Sequence, residues 1–118
     1  MRILIAADDR DAVMTLGILL RSEGHEVWSA QAAPEVAEAV RDFQPDLVLL
    51  DVAMDERSGY ELAAELSHEH GSRCPVLVAL TGVSGADRAR AEKCGFQHLV
   101  ARPYDAEEML GLLSLVPQ

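Results

Sequence analysis

Two stretches decide the architecture: Ile3-Leu4-Ile5-Ala6-Ala7, followed by Asp8 and Asp9, and Leu47-Val48-Leu49-Leu50, followed by Asp51. Neither run alternates apolar with polar residues, so each reads as a strand buried on both faces, at home in a parallel sheet covered by helices. Each run then ends on carboxylates, which belong at a surface. If the two strands are parallel neighbours, Asp8, Asp9 and Asp51 gather at one edge of the sheet. Clustered negative charge is unfavourable unless a divalent cation or a phosphoryl-binding role accounts for it.

Working outward, strand and helix alternate to the end of the chain. A strand over about 2–7 leads to a helix over about 10–23, with Val13, Leu16, Leu19 and Leu20 on one face and Gly24 as its stop. A second strand covers Glu26 to Ala30. Pro34 opens a helix carrying Val36, Val40 and Phe43, which Gln44-Pro45 terminates. The third strand runs from Asp46 to Asp51, and a helix from Tyr60 to His70 ends at Gly71. Val76 to Leu80 form the fourth strand and lead into Thr81-Gly82. Ser84 and Asp87 read as an N-cap pair for a helix to Cys94, with Gly95 behind it. The fifth strand spans about Gln97 to Ala101, before Arg102-Pro103. Asp105 and Glu108 resemble a capping box for a last helix that buries Met109, Leu112, Leu113 and Val116. Five such pairs predict an α/β fold, a doubly wound five-stranded parallel sheet with helices on both faces, forming one domain over 1–118.

Composition narrows the function. With 118 residues, 49% hydrophobic and 25% charged, the chain has an ordinary globular make-up and no apolar stretch of membrane-spanning length. Met1-Arg2 enters the first strand directly, so no signal peptide is expected, and a cytoplasmic location follows. A net charge of −10 opposes direct binding to nucleic acid. Cys74 and Cys94 lack metal-ligand spacing and are expected as free thiols. His25, His68, His70 and His98 are scattered, and solvated side chains are expected rather than a metal site.

Open parallel sheets bind ligands beyond the carboxyl ends of their strands. Those ends carry Asp8 and Asp9, then Asp51, Thr81 and Arg102. Each has an ordinary reading: a helix cap for Asp8 or Asp9, a strand-end acid, a turn residue, a surface charge. Together they suit phosphoryl chemistry. One carboxylate can attack phosphorus and hold an acyl phosphate, two more can hold Mg²⁺, and a hydroxyl and a cation can bind the phosphoryl oxygens.

The segments Leu4 to Arg10, Pro45 to Asp51, Gly59-Tyr60-Glu61-Leu62, Ala79-Leu80-Thr81-Gly82 and Gly95-Phe96 through Arg102-Pro103 resemble a response-regulator receiver domain, in order and spacing, over the whole chain. The closest flavour is the receiver of hybrid sensor kinases. The resemblance implies a flavodoxin-like strand order of 2-1-3-4-5 and a phosphoprotein of two-component or phosphorelay signalling. By position it implies Asp51 as phosphoacceptor, Asp9 as direct Mg²⁺ ligand, Asp8 as its water-mediated partner, the Ala53 backbone carbonyl as completing the metal site, and Thr81 as the responding hydroxyl. A histidine kinase or histidine phosphotransfer protein would donate the phosphoryl group. A downstream protein would read the face formed by the fourth helix, fifth strand and last helix, where Arg88, Arg90 and Lys93 form either a basic patch or a solvated helix face. Such a domain is no turnover enzyme.

The chain departs from this pattern at three positions. Arg102 replaces the usual lysine, in a chain of nine arginines and one lysine, Lys93. Leu99 stands where a switch aromatic is usual, and the neighbouring Tyr104 does not match the motif. Asp55, beside Glu56, replaces a loop proline. Ala53 and Val83 occupy the positions that tune hydrolysis, and neither can orient water, so slow intrinsic dephosphorylation is expected. Two alternatives stand beside the receiver: a pseudo-receiver that works as a phosphorylation-independent interaction module, favoured by Arg102 and Leu99, and an aspartate-nucleophile phosphatase, which would need a second acid where Ala53 stands.

Overall fold

The computed structural model describes residues 1–53, 58–82, 88–102 and 104–116. Asp55, Glu56, Val83, Ser84, Asp87 and Pro103, on which parts of the sequence reading fall, lie outside the described residues. Five strands, β1 (Arg2–Ala6), β2 (Glu26–Ala30), β3 (Leu47–Asp51), β4 (Val76–Thr81) and β5 (Phe96–Ala101), alternate with α1 (Arg10–Ser22), α2 (Ala33–Phe43), α3 (Gly59–His70), α4 (Arg88–Cys94) and α5 (Ala106–Gly111). The sheet is parallel in the order β2-β1-β3-β4-β5. This is the doubly wound, flavodoxin-like order that the resemblance implied.

The two-sided burial of the central strands has a direct consequence. Leu4, Ala6, Val48, Leu50, Leu77 and Ala79 face α2, α3 and α4, whereas Ile3, Ile5, Leu47, Leu49, Val78 and Leu80 face α1 and α5. Alternate residues of the same strand therefore feed separate apolar layers. Truncating one of these leucines to alanine typically costs about 2–5 kcal/mol. That rigidity fixes the strand ends, and with them the polar rim.

Two expectations are corrected by the packing. Asp105 does cap α5, accepting from the Glu107 amide at 2.9 Å, but Glu108 does not complete a box. Its carboxylate lies 3.9 Å from His98 Nε2 on β5 instead. His70 is not simply solvated, because its Nε2 is buried with no hydrogen-bond partner among the described residues. Arg88, Arg90 and Lys93 are all exposed, and the Arg90 guanidinium lies 4.5 Å from the Tyr60 ring centroid. Cys74 and Cys94 are free, and no helix among the described residues is long and apolar enough to cross a membrane.

Candidate functional site

The registers place the ends of β1, β3, β4 and β5 along one rim. Ala6 pairs with Leu50, Asp51 with Leu80, and Thr81 with Ala101, so the residues after these positions emerge side by side. Asp51 closes β3 and is buried, an unusual setting for a carboxylate. Its Oδ1 accepts from the Ala53 backbone amide at 2.8 Å. The other oxygen faces Arg102, whose Nη2 lies 3.9 Å from Asp51 Oδ2 and 3.4 Å from Asp9 Oδ2. One guanidinium nitrogen thus stands between the two carboxylates.

Asp9 has two roles. Its Oδ1 caps α1, accepting from the amides of Asp11 and Ala12 at 3.1 and 3.3 Å, which realises the ordinary reading of this residue. Its Oδ2 is the oxygen turned to Arg102. The cap therefore orients the carboxylate and leaves one oxygen directed into the rim. Asp8 precedes it, half-buried, and bears on Asp51 through its charge.

Burial pushes the Asp51 carboxyl above its ordinary range; the Ala53 amide opposes the shift, Asp8 raises it, Arg102 lowers it and Asp9 raises it. Negative charge at Asp51 is thus in excess even with Arg102 present. A consequence for stability follows. A carboxyl raised in the folded state costs nothing while it is neutral in both states; the penalty builds as pH rises from its unfolded value to the raised one and is constant above that. Without divalent cations, Asp51→Asn is therefore expected to stabilise the fold at neutral pH, with the advantage fading as pH falls through the ordinary carboxylate range. Denaturant midpoints of the two proteins against pH check this, and a constant or growing difference at low pH would contradict it.

Thr81 is buried at the end of β4, its hydroxyl within 3.4 Å of the carbonyls of Val100 and Gly82, both long bonds that are easily exchanged. Leu99 on β5 packs, partly buried, against the layer beneath α2, α3 and α4. The sequence reading set aside Tyr104, yet its hydroxyl accepts from Arg102 Nε at 3.3 Å. The available signal was its separation of only two residues from Arg102.

As they stand, no three carboxylate, imidazole or thiol groups among the described residues are gathered to hold a metal. The donor chemistry nonetheless suits a small hard cation: every negative group at the rim offers oxygen, and the buried Asp51 lacks neutralising charge. Arg102, exposed by about 41%, is the side chain that would have to give way at Asp9.

A family model described as the response regulator receiver domain matches residues 3–114. The transcriptional regulatory protein PdtaR of Mycobacterium tuberculosis is 33% identical over 116 residues, covering 97% of this chain and 55% of that protein. The chain thus spans about half the length of that relative. Protein PilH of Pseudomonas aeruginosa is 27% identical over 116 residues, covering 98% of this chain and 96% of its own. The chemotaxis protein CheY4 of Vibrio cholerae superposes with a TM-score of 0.88 at 18% identity, covering 98% of each chain, and shows the shared fold.

Proposed function

The chain belongs to the response regulator receiver domain family, a signalling module of two-component systems, and we propose that it accepts a phosphoryl group on Asp51 and signals through protein–protein contacts. The observation that carries this reading is the buried, charge-deficient Asp51 carboxylate, sharing one Arg102 nitrogen with Asp9 at the carboxyl edge of the sheet. An oxygen of ionised Asp51 forms a bond to phosphorus as the donor's bond to phosphorus breaks, and the leaving group departs with that electron pair. The product is an acyl phosphate. The Ala53 amide fixes the Asp51 carboxylate, and Thr81 and Arg102 supply a donor and a cation to the phosphoryl oxygens.

Asp8, Asp9, Asp51 and the Ala53 carbonyl would hold Mg²⁺, which when bound neutralises charge on the incoming group. The donor would be a histidine kinase or a histidine phosphotransfer protein, and the face of α4, β5 and α5 would meet the downstream partner. Arg102 competes for the oxygen that Asp9 would give the cation. Arg102→Gln is therefore expected to tighten Mg²⁺ binding roughly fivefold, or about 1 kcal/mol, the scale of a half-exposed charge pair. Calorimetric titration checks this; weaker binding would show that Arg102 supports the cation rather than competing with it.

The test of the reading is intact-mass measurement after incubation with Mg²⁺ and a small phosphodonor. One phosphoryl adduct is expected with Mg²⁺, and none when EDTA is present from the start. Because Ala53 carries no group that orients water, the adduct should decay slowly in Mg²⁺ alone, and rapid loss in a time course would count against the assignment. The second reading, a phosphorylation-independent interaction module, draws on one observation: Arg102 already occupies the space between Asp9 and Asp51. It predicts no adduct.

A further inference from the structure

The Arg102 guanidinium is a rigid plane with donors on separate edges. Its Nη2 serves both carboxylates, at 3.4 Å from Asp9 and 3.9 Å from Asp51, while its Nε donates to the Tyr104 hydroxyl at 3.3 Å. The same guanidinium lies 6.0 Å from the Tyr104 ring centroid. A group that displaces Nη2 from the carboxylates must therefore tilt the plane and disturb Nε. A lysine could not pass on such a movement, since its single ammonium ends the side chain.

Tyr104 is placed to receive it. The ring is half-buried against the apolar layer of α1 and α5. The next residue, Asp105, caps α5 and holds the backbone there. Tyr104, Arg102 and Asp9 also line an open cleft of about 600 Å³ between α1 and α5, with Leu16, Leu19 and Met109 as its apolar part. Leu99, by contrast, offers no aromatic ring and faces the opposite layer.

We propose that Tyr104 is a positioning residue for Arg102, and that the Arg102–Tyr104 couple carries the occupancy of the Asp9–Asp51 site into the α1–α5 cleft. When a cation takes the Asp9 oxygen, Arg102 swings away from the carboxylates and Tyr104 repacks in the cleft wall. The inference rests on the reading that Asp9 and Asp51 hold a divalent cation.

The test is a Mg²⁺ titration of the whole chain followed by NMR, with ring-labelled tyrosine and with the Ala53 amide as an independent reporter of the cation's arrival. Tyr60, on α3 against Phe96 and Arg90, is the internal reference, and Tyr104→Phe assigns the two rings. The Tyr104 ring and the Ala53 amide are expected to shift together with one apparent affinity while Tyr60 stays still. In Arg102→Lys, which keeps the charge, Ala53 should still shift and Tyr104 should not. A static Tyr104 with a shifting Ala53, or a Tyr104 shift of equal size in Arg102→Lys, overturns the inference alone. No shift at Ala53 overturns the cation reading and the inference with it.

Discussion

Asp51→Asn abolishes phosphoryl uptake, with no adduct detectable under conditions that modify the wild type. The amide is a poor nucleophile towards phosphorus, and no other acid among the described residues shares the geometry of Asp51. This side chain ends the fully buried β3, accepts from the Ala53 amide, and faces Arg102 and the rim. Asp9 is tied to the start of α1 by two backbone amides. The substitution should leave the fold intact, because an asparagine oxygen still accepts from Ala53 and the surrounding leucines are untouched. Intact mass beside a circular dichroism spectrum separates loss of chemistry from loss of structure. An adduct of undiminished yield on a folded Asp51→Asn protein would move the acceptor elsewhere.

The largest expected loss of stability comes from one added methyl group. Gly59 opens α3 and donates its amide to the Val52 carbonyl at 2.9 Å, which brings the helix against the end of β3. A Cβ there would overlap the Asp51 carbonyl oxygen and lie 2.6 Å from Val52 Cα. Both obstacles are backbone, at the last residue of β3 and in the turn behind it, and cannot swing aside as a side chain would. Gly59→Ala is therefore expected to cost about 3 kcal/mol, at the upper end of overpacking substitutions, and to lower Tm by roughly 10 °C. It should also weaken phosphoryl uptake, since the displaced backbone belongs to Asp51. Gly111→Ala is the control. Nothing lies within 4 Å of a Cβ at that position, so it should be neutral or stabilising by up to about 1 kcal/mol. Equal melting temperatures for Gly59→Ala and wild type would contradict the close approach.

Much of this was legible from the chain itself, because the signals were strong ones. Apolar runs without alternation, each closed by an acid, leave little freedom: they are central parallel strands, and their ends form the rim. Helix stops at Gly24, Gln44-Pro45 and Gly71 were equally plain, since each rests on local backbone chemistry. What escaped was the choice each polar side chain makes among nearby partners. Glu108 has the spacing of a capping box but turns to His98, which only the β5–α5 packing brings near. Arg90 reads as a surface cation, yet Tyr60 on the neighbouring helix offers a ring. As sequence, Asp9 fits either a cap or a site residue, whereas its two oxygens divide the roles. No motif singles out Tyr104, although its partner Arg102 lies only two residues away. Such tertiary choices depend on distances between elements, which a single sequence does not state.

The most direct measurement is chemical trapping of the modified chain. After incubation with Mg²⁺ and the phosphodonor, borohydride reduction converts an aspartyl phosphate to homoserine, and tandem mass spectrometry of the peptides locates it. Homoserine at position 51 alone is the predicted result. Homoserine at another acid, or at none while the chain remains folded and Mg²⁺-bound, would contradict the account.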